Sequence, residues 1–299
     1  MLQFILLLAI AGLVVAHLMK PNIRSRKGTK GTKGTTEGFH GSGGDTDTDT
    51  SYDSTYQAGG DFPANEPIDD PRDLPWIASW TPADRAARAG QNCNPSYTEI
   101  GPKGTMIITT SKSCEAGMPH TLAGDRIMIP DSVVLPALAS TIDHELVHIH
   151  QRRNADAWAT FYRRNWSFNL QSTPPPHMPA ELVEARRSNP DTWVPSGVGG
   201  GPWSCWMNRY WPVPVYTDPK QPRLRDTITV WWDEWKREIL KQAPEAWTQF
   251  FGSPTQNEHP HEIAAVMITD ETGESGSTEA GRRLLAWWSS GTGSGSGSG

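Results

Sequence analysis

His144-Glu145-Leu146-Val147-His148, continued by Ile149-His150-Gln151, is the stretch whose reading decides the fold. At about 100° per residue, positions four apart on a helix lie about 40° apart, so His144 and His148 share a face and their imidazoles can hold one cation. Glu145 projects from the adjoining flank of the same turn, where its carboxylate faces a water on that cation instead of becoming a ligand. Zinc held this way acidifies the water, and the glutamate takes its proton as the water attacks a polarised carbonyl.

A pentapeptide of this kind also arises by chance as a merely structural pair of histidines, so its surroundings matter. Leu138, Ile142, Leu146 and Ile149 recur at helical spacing, and the apolar stripe they form would anchor the helix in a core. Arg126-Ile127-Met128-Ile129-Pro130 reads as a short strand ending at a proline. Pro136 marks the first helical turn, where proline is tolerated, and the helix is expected to run to about Arg153.

The folded part is shorter than the 299 residues of the chain. Phe4 to Met19 is nearly continuous apolar sequence, which with Met1 and Leu2 approaches the length that spans a bilayer. Two readings compete. Val14-x-Ala16 before His17 resembles a signal-peptidase site, which would give a secreted protein, but no positive region precedes the apolar run. Lys20, Arg24, Arg26, Lys27, Lys30 and Lys33 follow it with no acidic residue among them, which favours an uncleaved single-pass anchor at 1–19 and a membrane protein. Residues 20–72, with their Gly/Thr/Lys repeat and Thr/Asp alternation, offer almost no apolar surface and read as a disordered stalk; 291–299 reads as a disordered Gly/Ser tail.

A net charge of -6 and the lack of a basic stripe interleaved with aromatics argue against a nucleic-acid partner. Fourteen tryptophans are read first as large core pieces, with a substrate-binding wall or membrane-interface contacts as the alternative. Cys93, Cys114 and Cys205 lack the paired spacing of a thiolate zinc site; a bridge between Cys93 and Cys114 is conceivable.

Within the expected domain, 73–290, Thr81-Pro82-Ala83-Asp84 opens a capped helix that Gly90 closes, and 105–110 reads as a buried strand. In zinc-peptidase architecture a strand such as 126–129, beside the metal helix, can present its edge to an extended substrate, and a likeness to that architecture would imply the same here. Helices follow over 156–168 and 180–187. The stretch 197–214 reads as a loop and candidate lid, 226–232 as a strand, 234–242 as an amphipathic helix, and a further helix begins at Pro244.

A hydrolytic zinc ion wants three protein ligands and an open position. The best source of a third lies in Asn257-Glu258-His259-Pro260-His261-Glu262-Ile263, because Pro260 suits a first helical position and puts Glu262 in the opening turn of a rigid element. Glu258 and His261 compete with it for the role.

On the residues His144 to His148, and more loosely those around Glu262, the chain resembles the zincin metallopeptidases, and among them the gluzincin branch, whose third ligand is a glutamate on a later helix. The gap between His148 and Glu262 is far longer than in thermolysin-like enzymes, and no Gly and third His follow His148 as in the metzincins. The resemblance implies an α+β fold, mainly helical, with a small sheet beside the motif helix. It also implies one zinc ion held by His144, His148 and Glu262, with Glu145 as general base for peptide-bond hydrolysis.

Zincins often add a donor to the developing oxyanion and a carboxylate that orients a ligand imidazole. His259 and Tyr210 are candidates for the first role, and Asp270, about 80° round its helix from Glu262, for the second. Asp143 reads as surface charge, His150 as too far round the helix to reach the same ion, and His120 and His177 as loop residues without a named partner. The expected function is a membrane-tethered zinc peptidase acting on a peptide or protein substrate. The alternative is a catalytically inactive zincin-like binding or structural module.

Overall fold

A computed structural model describes residues 71–135, 137–193, 201–253 and 256–291. The expectations for 1–19, for the stalk up to residue 70, for Pro136 and for the Gly/Ser tail from 292 onward fall outside these residues. Among the described residues no helix is long and apolar enough to cross a membrane. The expectation of a single-pass membrane protein is corrected accordingly.

The fold is α+β, with two short helices, α1 (Leu74–Ala78) and α2 (Pro82–Ala87), leading into a four-stranded sheet. Thr81 caps α2 as its sequence requires. Its Oγ1 accepts from Asp84 N at 3.1 Å while its own N–H donates to Asp84 Oδ2 at 3.2 Å, which satisfies two otherwise orphaned donors. The sheet contains β1 (Pro95–Ile100), β2 (Met106–Thr110), β3 (His120–Leu122) and β4 (Arg126–Pro130) in the order β1-β2-β4-β3. β2 and β4 run parallel and the outer pairs antiparallel. A disulfide joins Cys93, just before β1, to Cys114 in the turn after β2.

The motif helix, α3 (Ala137–Arg153), lies on this sheet because Ile142, Leu146 and Ile149 meet Ile107, Ile127 and Ile129, which alternate on one face of β2 and β4. The opposite face, through Ile108, Leu122 and Met128, packs on Trp76 of α1. β4 is paired on both sides, so the expected substrate edge is not there. β3 is the edge strand, and its Thr121 N–H already donates to Asp191 Oδ1 at 2.6 Å.

α4 (Ala155–Asn165) stops short of its expected end, and Phe168 opens the first strand of a second sheet. This sheet is an antiparallel meander of β5 (Phe168–Gln171), β6 (Trp203–Trp206), β7 (Tyr210–Tyr216), β8 (Thr227–Asp233) and β9 (Glu238–Leu240). The short helix α5 (Ala180–Glu184) lies between β5 and β6 in the chain, and α6 (Glu245–Phe251), α7 (Pro260–Ile268) and α8 (Glu279–Ser289) follow β9. One side of the meander meets an aromatic core of Trp158, Trp166, Trp206, Trp231 and Trp247 with Phe251, and the other packs on Met178 and Leu182. Val230, Trp231 and Trp232 divide between the two faces by simple alternation.

The second sheet corrects the expectation of a mainly helical domain with one small sheet, and both misread segments have physical explanations. The stretch 197–214 was expected as loop from its glycines, aromatics and prolines, and its residues 203–206 and 210–214 instead lie in β6 and β7. Pro214 O accepts from Arg187 N at 2.8 Å, on the side of β7 away from β8. The missing proline N–H groups therefore cost the β7–β8 ladder nothing. Met207 and Asn208, both at φ 54°, turn the chain from β6 into β7. The expected helix at 234–242 is instead a turn and β9. Asp233 Oδ1 accepts from the N–H groups of Trp235 and Lys236 at 3.1 and 3.2 Å, which ends helical propagation before it starts. Trp235 and Ile239, four positions apart as on one helix face, are 70% and 47% exposed.

Candidate functional site

α3 and α7 pack against each other and bring the three expected ligands together. His148 Nε2 lies 3.1 Å from His144 Nε2, and each of these nitrogens lies 3.6 Å from Glu262 Oε2. His148 and Glu262 are buried, while His144 is partly open to a cleft of 710 Å³ that Glu145, Asn189, Asp191 and Glu258 also line. These two imidazole nitrogens and one carboxylate oxygen could hold a metal ion. Of the competitors, Glu258 accepts from Asn189 Nδ2 at 3.1 Å, and His261 is turned inward, its Nδ1 3.4 Å from Asp191 O and its ring against Tyr162.

The tautomer of His148 follows from its neighbours. Gln151 Nε2 donates to His261 O at 2.9 Å and to Tyr162 Oη at 3.2 Å, so its amide nitrogen is committed and Oε1 must face His148 Nδ1, 2.8 Å away. Nδ1 therefore carries a proton, so that whenever the ring is neutral its lone pair is on Nε2, on the side of Glu262. Glu262 is held in the same manner: its Oε1 accepts from Asn189 Nδ2 at 2.7 Å, leaving Oε2 for the histidines.

The turn Asn189-Pro190-Asp191-Thr192 serves both sides of the site. Asn189 Oδ1 accepts from Asp191 N at 3.1 Å, which fixes the turn, while Nδ2 reaches Glu262. Asp191 points toward Glu145 and His148, and its Oδ1 accepts from both the N–H and the Oγ1 of Thr121, at 2.6 and 2.7 Å.

Glu145 is buried at the cleft wall, and its Oε2 has no hydrogen-bond partner among the described residues. Burial, with the charge of Asp191 beside it, pushes the Glu145 carboxyl well above the usual range, against the opposing pull of His148. Burial works against a charge on His148, but Glu262, Asp191 and Glu145 outweigh it and raise the imidazole to about 10. Glu262 is also disfavoured as an anion by burial, yet His148 and His144 hold it well below the carboxylate range. The cluster is thus an electrostatic well for positive charge.

Other expected residues fall elsewhere. His259 caps α7: its Nδ1 accepts from His261 N at 3.3 Å, its Nε2 lies 3.3 Å from Gly201 O, and burial lowers its pKa to about 3. Both ring nitrogens have structural partners, so the expected oxyanion role is not what the geometry builds. Tyr210 is on β7 against Trp206, under Arg209, and does not line the cleft. Asp270 organises the turn after α7 by accepting from Thr272 and Ser275 and does not touch a ligand histidine. His150 Nδ1 accepts from Trp158 Nε1 at 3.0 Å, away from the site. Among the described residues no tryptophan lines the cleft, whereas His120, at the start of β3, does.

Sequence reasoning missed Gln151, Asn189, Asp191 and Arg187. Gln151 could have been found, since it stands three positions after His148 on the same helix face. The other three belong to an irregular segment whose approach to the site no spacing announces. No protein family, no curated protein and no solved structure matches this chain.

Proposed function

We propose that this chain is a zinc-dependent metallopeptidase of the zincin type, hydrolysing peptide bonds in the cleft between α3 and the 187–191 segment. The observation that carries the reading is the donor triangle of His144 Nε2, His148 Nε2 and Glu262 Oε2, with sides of 3.1, 3.6 and 3.6 Å. Zinc bonds of roughly 2.0–2.2 Å in a tetrahedron separate neighbouring donors by about 3.3–3.6 Å. The residues fit the ion in type and number, two of the three sides fall in that range and the His144–His148 side is slightly shorter, and the face of His144 toward the cleft leaves room for a fourth ligand.

When bound, zinc would polarise the substrate carbonyl and make an attacking water acidic. Gln151 keeps the His148 lone pair on the metal side, and Asn189 keeps one oxygen of Glu262 there. Glu145 Oε2, without a partner of its own, accepts the proton released by the water and passes it to the leaving amine. Burial first, and Asp191 beside it second, raise the Glu145 carboxyl, which makes its carboxylate a stronger base than an ordinary one.

The reading is tested by incubating the full chain, with one equivalent of zinc added, with a mixed peptide library. Cleavage that disappears in Glu145→Gln supports it. Bound zinc with no cleavage of any peptide would leave a metal-holding binding module instead.

A further inference from the structure

We infer that Arg187 selects the substrate by gripping a carboxylate one or two residues from the scissile bond. The inference rests on the peptidase reading above, and it concerns which peptides the site takes.

Arg187 is the only lysine or arginine among the described residues lining the cleft. Its backbone is fixed to β7 through Arg187 N and Pro214 O, 2.8 Å apart. Arg187 and Asn189 both line the cleft, whereas Ser188 between them donates its N–H to Asp84 Oδ1 at 3.0 Å, on the other side. Two positions of extended chain separate neighbours on one side by roughly 7 Å. Since Asn189 holds the ligand Glu262, Arg187 sits about one to two peptide units from the reacting carbonyl.

The guanidinium is poorly satisfied for a residue only 9% exposed. Its Nη1 is 3.6 Å from Glu258 Oε1, beyond a hydrogen bond, and Nη2 has the weak acceptor Met118 Sδ at 3.7 Å. Nε is buried with no partner among the described residues. An arginine with a structural role in this protein looks different. Arg88 donates to both oxygens of Glu115 at 2.7 and 2.9 Å, to Asp84 Oδ1 at 3.0 Å and to Ser188 O at 2.9 Å.

The neighbouring carboxylates do not take the fork. Glu115 is held by Arg88, Asp191 by Thr121 and Glu262 by Asn189. Glu258 bonds Asn189 and forms an ion pair with Arg187 at 3.6 Å, which engages one Nη at one oxygen and does not fill the fork. A planar fork with five donors, in a cleft and short of acceptors, matches a carboxylate in bidentate geometry. Two sources present that group: the carboxyl terminus of a short peptide, or the side chain of an Asp or Glu near the cleaved bond.

The test uses the zinc-supplemented full chain and three matched peptide sets: neutral peptides with a free carboxyl terminus, the same peptides amidated, and amidated peptides with one Glu placed at successive positions. Peptide binding to Glu145→Gln is measured by calorimetry beside cleavage by the wild type. The expected result is at least about tenfold tighter binding and higher kcat/KM for one carboxylate-bearing set over its neutral match. Preference for the first set identifies a carboxypeptidase-like subsite, and preference for the third an acidic side-chain subsite. Arg187→Gln should bring the ratio between matched peptides to about one, and Arg187→Lys should restore part of it. Because each ratio is taken within one variant, a general folding defect does not imitate the result. A ratio near one in the wild type, or one that survives Arg187→Gln, overturns the inference while cleavage sensitive to Glu145→Gln leaves the peptidase reading standing. Arg187-dependent carboxylate binding without any cleavage does the reverse.

Discussion

Gln151 Oε1 stands 2.8 Å from His148 Nδ1, three residues back along the same helix, and the Gln151 amide nitrogen is fixed by Tyr162 and His261. A ligand imidazole is thereby oriented from within its own helix, through a side chain anchored to α7. Replacing Gln151 with Met keeps the volume and removes all three hydrogen bonds. Zinc affinity measured by competition with a chelator should fall about 10- to 100-fold. Unchanged affinity would mean that His148 is oriented by packing alone.

Removal of the Cys93–Cys114 disulfide should destabilise the domain by about 3 kcal/mol, the loop-closure value for a bridge that spans 21 positions. The bridge also precedes Glu115 and Met118 on the cleft wall. Urea unfolding of Cys93→Ser/Cys114→Ser against the wild type measures the effect, and equal midpoints would contradict it.

Cys205 is buried on β6, and burial, reinforced by the charge of Glu234, raises its thiol to about 12. The thiolate needed for alkylation is therefore scarce at pH 8. Mass spectrometry after iodoacetamide treatment should find Cys205 unmodified in the native protein and modified in denaturant. Fast labelling of the native chain would show that β6 opens readily.

Arg209 hydrogen-bonds both oxygens of Asp233, which together with N–H groups from Lys236 and Trp235 holds the Asp233 carboxyl below its usual range despite its burial. A depressed folded-state pKa stabilises above the unfolded value, near 4, and that contribution is lost as the pH falls through the lower folded value. Stability followed from pH 6 to pH 2.5 should fall more steeply in the wild type than in Asp233→Asn. Parallel curves would remove this pair from the acid response.

The parts of the fold legible in the sequence are those where one local rule dominates. Ile142, Leu146 and Ile149 keep helical period against a sheet, and the run Ile127-Met128-Ile129 is apolar because both its faces are covered. Pro260 opens α7 where a first-turn proline belongs, which is why Glu262 could be singled out. The second sheet was hidden because long-range pairing overrode local signals. The prolines of β7 turn their missing donors away from β8, and Trp235 and Ile239 mimic a helix face that nothing covers. Asn189, Asp191 and Arg187 reach the cleft through a segment attached to β7, and that attachment leaves no trace in sequence spacing.

Zinc content of the purified full chain tests the central claim most directly. After supplementation and dialysis, about one equivalent of zinc should remain on the wild type and on Glu145→Gln, and less than about a tenth on His144→Ala and on Glu262→Ala. Less than about a tenth of an equivalent on the wild type, or equal zinc on all four proteins, would contradict the account.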